Sequence, residues 1–386
     1  MITGNPRLMI VAGEPSGDLH AARLIRAISR EFPGVSAFGM GGEEMRGAGA
    51  EIIHDSGPLD VIGFGDVPRV IPALYRIKCD LIARVREERP EAVVLVDYPG
   101  FNLSLAKSLG KLPRPPRLIY FIPPQVWAWR GGRARTIAEI FDLILTIYPF
   151  EPGLFRQEGG AAEFIGNPVA FALQEAPSRE AARASLGIPG DARVVAFLPG
   201  SRRREIERLL GPMIDSAGPL SERFPGTIFL VSEAEALPEG AVRSRLPSGG
   251  GGVRVVRGLQ HEVIRAADAA AVASGTATLE CGLLGTPMSV CYMGDFFTYM
   301  LTKYFLLQVD YISLVNLLAG REVVPELYQG QVRGERIAAA LGPLLADPAA
   351  RESQTSAFGE IRESLGGPNP YERGASEIIR VLEGAS

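Results

Sequence analysis

Residues 271–290 read AVASGTATLECGLLGTPMSV and place a loop of small and hydroxyl residues between an alanine-rich apolar run and a helical stretch with one acid near its start. Strands that alternate with helices in this way form the units from which parallel sheets are built. The loop suits a serine nucleophile, a phosphate-binding turn or a plain helix cap, and the rest of the chain decides among them.

Similar β-rich runs recur along the chain between helical stretches, and each is nearly continuous in apolar residues. Strands that are covered on both faces have this pattern. We therefore predict an α/β protein with parallel sheets, with strands within 8–13, 92–97, 117–122, 143–148, 193–200, 227–232 and 269–274.

The length of 386 residues suggests two domains, because a typical domain has roughly 150 residues. A polar stretch at 172–192, marked by prolines, separates the two sets of runs and is typical of a hinge. We predict Rossmann-like domains at 1–171 and 172–345, followed by helices at 346–386 that pack back across the domains or onto a partner subunit.

The composition disfavours several classes of protein. With 46% hydrophobic residues, 22% charged residues and a net charge of −4, the chain is typical of a globular protein and not of a nucleic-acid binder. Its three cysteines lack the spacing of a metal site or a disulfide framework, which fits a reducing cytoplasm. We expect neither a signal peptide nor a membrane span, since no apolar run reaches about eighteen residues.

Ligands of open parallel sheets bind beyond the carboxyl ends of the strands. The loop after the first run, AGEPSGD, fits neither a P-loop nor a dinucleotide fingerprint. We predict that its residues Gly13, Glu14, Ser16 and Gly17 contact substrate. The alternative is that Ser16 or Asp18 only caps the following helix, which would leave Glu14 unexplained.

The run AVVLVD ends in Asp97, which is followed by a turn and Asn102. A carboxylate at a strand end can accept the proton of a substrate hydroxyl that comes within hydrogen-bond distance. The alternative is a structural aspartate that closes the turn between strand and helix.

The stretch FLPGSRRREIERLL places three arginines at the start of a helix, where cations oppose the helix dipole. A bound anion would remove this conflict. The backbone N–H groups of Gly200 and Ser201, together with Arg202, would clamp a diphosphate, since a guanidinium pairs with two phosphate oxygens. The alternative is that all three arginines are solvated or pair with Glu205 and Glu207, and we expect this of Arg203 and Arg204.

The loop at 274–276 is then a second phosphate loop. It lacks G-x-S-x-G, and the chain has only three histidines, so a serine hydrolase triad is disfavoured. Ser274, Gly275 and Thr276 offer donors to phosphate, and Glu280 can accept hydrogen bonds from ribose hydroxyls. This layout indicates a nucleotide-sugar glycosyltransferase that needs no metal or other cofactor, because helix ends and Arg202 balance the leaving-group charge.

Seven motifs, in order along nearly the whole chain, resemble those of the lipid-A-disaccharide synthases: AGEPSGD, GMGGEEM, VDYPGFN, PPQVWAWR, LPGSRRREI, ASGTATLE and DYISLVNLLAGREVVPELYQ. The resemblance implies a GT-B fold, in which two Rossmann-like domains face each other across a cleft. It also implies a hexosyltransferase of lipid A biosynthesis, the pathway to lipopolysaccharide. Such an enzyme transfers 2,3-diacylglucosamine, with inversion, from UDP-2,3-diacylglucosamine to the 6-hydroxyl of 2,3-diacylglucosamine 1-phosphate.

The resemblance further implies that the protein is located in a Gram-negative-type cytoplasm, acts as a peripheral protein on the inner face of the inner membrane, and forms a homodimer. By motif position, it implies four residues that are essential for activity: Glu14, Asp97, Arg202 and Asn316. Two positions depart from the family pattern, with Gly100 in place of an acid and Asn167 in place of a histidine. The first leaves Asp97 as the only acid of its motif, and the second removes a potential substrate contact.

A lipid substrate needs an apolar landing surface, and the stretch 57–85 is the best region for one. The predicted contacts with acyl chains and membrane are Val61, Phe64, Val67, Val70, Ile71 and Leu74. The alternative for any one of them is an ordinary helix that faces the core. Trp127 and Trp129 would line a cleft, anchor at a membrane interface or fill a core.

The expected mechanism is a single displacement that inverts the anomeric carbon, with Asp97 as the base. Domain 1–171 would bind the acceptor and face the membrane, and domain 172–345 would hold the UDP-sugar. Two other functions stay open at this point. A UDP-sugar 2-epimerase would share the two-domain layout, and a noncatalytic nucleotide-sugar or lipid-binding protein would share the binding residues.

Overall fold

The computed structural model describes residues 6–56, 67–128, 132–247, 250–294 and 311–384, with the side chains of 67–70 and 128 outside the description. The chain divides into two compact units, Met1–Phe171 with Gly367–Ser386, and Ala172–Gly366. The C-terminal segment predicted at 346–386 is thus split between them, because its first part belongs to the second unit and its last part to the first.

The first unit is built on a parallel sheet. Its described strands pair in the order β3-β2-β1-β4-β5-β6-β7. Their central residues are buried on both faces, which explains the continuous apolar runs of the sequence. The strands are β1 (Arg7–Ala12), β2 (Ser36–Gly41), β3 (Glu51–Asp55), β4 (Ala92–Val96), β5 (Arg117–Phe121), β6 (Leu143–Thr146) and β7 (Ala162–Phe164).

Helices connect these strands and cover the sheet. They are α1 (Pro15–Glu31), α2 (Glu43–Gly47), α3 (Val67–Glu88), α4 (Pro99–Leu109), α5 (Arg133–Ile140), α6 (Glu151–Gln157) and α7 (Pro168–Ala172). The apolar face of α1 packs into the core with β1 and β4, since Leu24 and Ile28 are buried among the strand residues Ile10 and Val94.

The second unit repeats the plan with strands that pair in the order β10-β9-β8-β11-β12-β13, again in parallel. The strands are β8 (Val194–Leu198), β9 (Ile228–Glu233), β10 (Val253–Arg257), β11 (Ala269–Ala273), β12 (Met288–Tyr292) and β13 (Glu326–Tyr328). The order places the carboxyl ends of β9, β8 and β11 side by side, which is where the predicted phosphate loops begin.

The helices of the second unit are α8 (Arg179–Ser185), α9 (Arg203–Asp215), α10 (Ala217–Arg223), α11 (Gln260–Ala266), α12 (Thr276–Leu284), α13 (Leu314–Ala319), α14 (Gly334–Ala346) and α15 (Pro348–Leu365). The last helix, α16 (Pro370–Leu382), belongs to the first unit, where it packs on α1. Tyr371 of α16 is buried, and its hydroxyl lies 2.9 Å from His20 Nδ1 and accepts from Arg23 at 3.2 Å.

The predicted class, α/β with parallel sheets, is confirmed, and each of the seven predicted runs contains a strand. Six strands were not predicted: β2, β3, β7, β10, β12 and β13. β2 contains glycine, β3 and β10 carry charges, β7 and β13 are only three residues long, and Ser289 interrupts the short β12, so their sequences lack a long continuous apolar run.

Candidate active site

The carboxylate predicted as a base lies at the carboxyl end of β4 in an unusual backbone conformation. Asp97 and Tyr98 have φ values of +46° and +42°, in the left-handed region that side chains other than glycine rarely occupy. Asn102 Nδ2 donates to the carbonyls of Val96 at 3.0 Å and Asp97 at 2.8 Å, and Tyr120 Oη donates to Asp97 O at 3.1 Å. These bonds hold the turn, so the strain is maintained by the fold and fixes where the carboxylate projects.

The environment of Asp97 suits a proton acceptor. The residue is half-buried, and this burial raises the pKa of its carboxyl above the ordinary value, while the N–H of Tyr98 works in the opposite direction. A base whose pKa moves toward the working pH accepts protons more effectively in a transition state. The side chains of Asn102 and Tyr120 donate to the main-chain carbonyl of Asp97, so the carboxylate of Asp97 is not needed to close the turn.

The loop after β1 lies next to this turn. A Cβ at Gly13 would meet the Tyr98 ring at 2.2 Å, so only glycine lets the two loops approach this closely. Glu14 and Ser16 are exposed, and Gly17 is buried at the start of α1. The structure therefore brings three predicted substrate contacts of this loop, Gly13, Glu14 and Ser16, to the strand end beside Asp97.

The alternative that Ser16 or Asp18 caps α1 is wrong. The cap residue of α1 is Glu14, and no side chain satisfies its first amides. Asp18 instead accepts from the N–H groups of Gly42, Glu44 and Met45 at 2.7, 3.0 and 3.1 Å. This buried carboxylate thus caps α2, a tertiary contact that local spacing could not indicate.

The second unit contains a cavity of about 310 Å³ at the carboxyl ends of β8, β9 and β11. Its volume falls at the lower end of the range for small-molecule sites. All seven residues predicted to bind the donor in this unit line the same cavity: Gly200, Ser201, Arg202, Ser274, Gly275, Thr276 and Glu280. The structure therefore places the arginine loop and the 274–276 loop opposite each other around one space.

Arg202 lies at the cavity mouth, where 84% of its side chain is exposed. Arg202 forms an ion pair with Glu205 at 3.5 Å. Glu205 Oε2 also accepts from the N–H groups of Ser201 and Arg202 at 3.0 and 3.2 Å. The carboxylate of Glu205 thus occupies the position at the start of α9 where an anion would bind. A diphosphate that accepts from the Ser201 N–H must displace it.

The other loop is tied to the unit by its hydroxyls. Ser274 Oγ donates to Ile312 O at 3.4 Å, and Thr278 Oγ1 donates to Gly275 O at 2.8 Å. Glu280 accepts from Gln260 Nε2, which holds its carboxylate at the wall of the cavity. Gly275 and Thr276 are exposed at the start of α12, in position to donate to an anion.

Three polar residues that line the cavity were not predicted as ligand contacts: Ser232, Gln260 and Glu205. Ser232 lies near the end of β9, and its run TIFLVS predicted a strand without a role for the serine. Gln260 follows a strand that was itself not predicted. Glu205 was expected only as a partner of the arginines; of these, Arg203 does pair with a neighbouring glutamate, Glu207, at 2.8 Å.

Asn316 does not line the cavity and is fully buried. Its Oδ1 accepts from Val323 N and Val324 N at 2.7 and 2.9 Å, and its Nδ2 donates to Val324 O and Glu326 Oε1, both at 2.9 Å. Every hydrogen-bonding position of the amide is used inside the protein. The geometry therefore gives Asn316 an architectural position, in place of the substrate contact that a catalytic role would require.

The two departures from the family pattern have different surroundings. A Cβ at Gly100 would meet nothing within 4 Å, so the space for an acid is open. Asn167 is buried and caps α7, because its Oδ1 accepts from Val169 N at 2.9 Å and Ala170 N at 3.1 Å. Its Nδ2 donates to Ile147 O at 3.2 Å, so the side chain is committed to the fold.

The predicted landing surface is only partly described. Val61 and Phe64 lie outside the described residues, as do the side chains of Val67 and Val70. Along the rest of α3, Ile71 and Tyr75 are exposed by 57% and 66%, whereas Leu74 packs partly against the core. Among the described residues, none of the helices combines the length and apolar character that crossing a bilayer requires.

Trp127 lies in a short 3-10 turn, Val126–Ala128, and its indole donates to Glu151 Oε1 at 3.0 Å. Burial raises the pKa of Glu151 to about 7, against the opposing effect of the indole and two backbone N–H donors. The ring also meets Tyr148 and Phe150 edge-on. Of the three alternatives for this tryptophan, the structure favours a packing role at a half-buried position, and Trp129 lies outside the described residues.

Comparisons with known proteins bear on the same residues. Residues 8–371 match the family model of lipid-A-disaccharide synthetase. The lipid-A-disaccharide synthase of Anaeromyxobacter sp. (strain K) is 42% identical over 377 residues, which cover 97% of each chain. The match to the family model extends over both units and includes every predicted site residue.

Solved structures share the fold at lower identity. The glycotransferase of kitacinnamycin aligns with a TM-score of 0.62 at 18% identity, over 98% of this chain and 100% of that one. The UDP-GlcNAc 2-epimerase from Neisseria meningitidis, bound to UDP-GlcNAc, aligns with a TM-score of 0.60 at 12% identity, over 98% and 100%. These likenesses show the GT-B fold alone, and the sequence match supports the synthase over the epimerase.

Proposed function

The chain belongs to the lipid-A-disaccharide synthase family and is a glycosyltransferase, and on this premise we propose how its residues carry out the transfer. The donor is UDP-2,3-diacylglucosamine, the acceptor is 2,3-diacylglucosamine 1-phosphate, and the products are a β-1,6-linked disaccharide 1-phosphate and UDP. The observation that carries the proposal is the single cavity lined by all seven donor-binding residues of the second unit.

We place the diphosphate of the donor between the loop at 200–202 and the loop at 274–276. The N-terminal ends of α9 and α12 both point positive dipoles at this space, and Arg202 adds a full charge. Glu205 leaves the amides of Ser201 and Arg202 when the phosphate arrives. Glu280 accepts from the ribose hydroxyls, as its position on the cavity wall allows.

The chemical step is one in-line displacement. The carboxylate of Asp97 takes the proton of the acceptor 6-hydroxyl while the oxygen of that hydroxyl bonds to the anomeric carbon. The bond between this carbon and the diphosphate oxygen breaks on the opposite face, and UDP leaves with the electron pair. One displacement inverts the anomeric configuration, which gives the β linkage from an α-linked donor.

Charge on the leaving UDP is balanced by protein groups in this proposal, with no metal. The amides at the helix starts are fixed donors in a partly enclosed site, where their effect on the developing charge is larger than in water, and Arg202 adds a positive charge at the mouth of this site. Glu14 and Ser16, beside the Asp97 turn, contact the acceptor sugar. Asn316 supports the reaction through the loop that it braces.

The acyl chains require a lipid surface, so we propose that α3 meets the inner face of the inner membrane. Ile71 and Tyr75 present apolar surface there, and the enzyme binds peripherally. We also propose that it works as a homodimer, which the family resemblance suggests.

The test is product analysis with the purified full chain. With donor and acceptor together, we expect UDP and a tetraacyl disaccharide 1-phosphate in equal amounts. With the donor alone, we expect no epimerised sugar. An epimerised UDP-sugar without acceptor would instead support the 2-epimerase, and binding of donor without any product would support a noncatalytic protein.

A further inference from the structure

A residue that lines the donor cavity carries a buried hydroxyl without a partner. Ser232, near the carboxyl end of β9, is 3% exposed, and its Oγ has no hydrogen-bond partner among the residues that the structure describes. The same residue lines the cavity of about 310 Å³. Buried hydroxyls are almost always hydrogen-bonded, and an orphan one destabilises the folded protein, so this one requires an explanation.

The strand order indicates which part of a ligand the hydroxyl would meet. Across the sheet the carboxyl ends run from β10 through β9 and β8 to β11. The proposed diphosphate seat lies between the loops of β8 and β11. Ser232 therefore lies on the β10 side of that seat, away from the 274–276 loop.

A second polar side chain lines the same cavity. Glu280, the proposed ribose partner, is bonded to Gln260, which follows β10. A carboxylate only accepts, so the amide of Gln260 must turn its NH₂ group toward Glu280 and its carbonyl oxygen away. The cavity thus has a hydroxyl and an amide among its lining residues, which suit the polar edges of a nucleoside.

We propose that Ser232 is a nucleotide-binding residue whose hydroxyl hydrogen-bonds the nucleoside half of a uridine diphosphate donor. This inference rests on the proposed function of the cavity and extends it to a residue that no sequence motif marked. The hydroxyl is kept without a partner in the free protein because the ligand supplies one.

The test compares Ser232→Ala with the wild-type chain by calorimetric titration of UDP and by competition with inorganic pyrophosphate. Loss of one hydrogen bond should raise the Kd for UDP about three- to tenfold. The apparent Kd for pyrophosphate, which lacks the nucleoside, should stay unchanged. The melting temperature of the free variant should equal or exceed that of the wild type, because the orphan group is gone.

A matched control is Ser216→Ala, in the same unit but outside the cavity. Ser216 is fully buried and its Oγ donates to Met213 O at 2.6 Å, so this variant should melt earlier and bind UDP normally. Wild-type affinity of Ser232→Ala for UDP would overturn the inference, and so would an equal loss for pyrophosphate. If the wild-type chain itself bound no UDP, that result would contradict the proposed function of the cavity. It is distinguishable from a failure of the Ser232 assignment alone, in which the wild type and Ser232→Ala bind UDP equally well.

Discussion

Asn316→Ala should unfold the second unit more easily before it changes any chemistry. The substitution removes four hydrogen bonds and leaves Val323 N, Val324 N, Val324 O and a Glu326 oxygen without this partner. Each unmet buried group costs about 1–3 kcal/mol, and losses within one network do not add fully, so we expect a loss of about 3–5 kcal/mol. At ~2–4 °C per kcal/mol, the melting temperature should fall by roughly 6–20 °C.

The same substitution should weaken donor binding indirectly. Glu326, which Asn316 holds, accepts from Ile312 N at 3.0 Å and Ser313 N at 2.9 Å, and Ile312 O receives the hydroxyl of Ser274 at 3.4 Å. Three hydrogen bonds in sequence therefore connect Asn316 to the 274–276 loop. We expect a smaller UDP-induced shift in melting temperature than in the wild type.

The assay is thermal unfolding with and without UDP, together with turnover measured well below the melting temperature. Gln354→Ala is the matched control, because Gln354 is also buried and bridges the N–H and carbonyl of Met288, at 2.8 and 3.1 Å, away from the cavity. It should lose stability and keep its UDP response. If Asn316→Ala melted like the wild type yet lost all turnover, Asn316 would contact substrate and the architectural account would be refuted.

Arg202→Ala should weaken UDP binding by about 10–100-fold in calorimetry, since charge-assisted hydrogen bonds contribute about 1.5–3 kcal/mol; unchanged affinity would remove the guanidinium from the diphosphate seat. Trp127 fluorescence, with the second tryptophan replaced, should titrate near pH 7 as Glu151 ionises, and Glu151→Gln should abolish the transition. Because the folded pKa of Glu151 lies above its ordinary value of 4.5, its contribution to stability is present below about pH 4.5 and is lost as the pH rises through about 7. Aspartate in place of both Ile71 and Tyr75 should reduce sedimentation with anionic phospholipid vesicles roughly tenfold or more at unchanged melting temperature; undiminished binding would place the membrane contact elsewhere.

The parts of the fold that sequence predicted are those with an unmistakable burial pattern. β4 and β11 are apolar throughout because helices cover both sheet faces, so their runs stand out. β2 contains Gly39, which packs against the backbone of β1 where a Cβ would meet Ile10 O at 1.9 Å. Such a close approach is a tertiary requirement, and it weakens the strand signal in the sequence.

Some residues of the candidate site could likewise be predicted from the sequence, and others could not. Arg202 and the 274–276 loop were predictable because strand-end loops of parallel sheets converge on ligands. Ser232 was not, since sequence alone does not tell a serine that is bonded inside the fold from one that is left unpaired. Asn316 shows a different limit. A motif match indicates that this residue is required, but it does not distinguish a substrate contact from a structural role.

Asp97→Asn tests the central claim most directly. Asparagine tolerates the left-handed backbone, and the bonds from Asn102 and Tyr120 go to the main chain of residues 96 and 97, so the turn should survive. We predict a fall in turnover of about 10²–10⁴-fold with unchanged UDP affinity, because only the proton acceptor is lost. Near-normal turnover in this variant would contradict the assignment of Asp97 as the base.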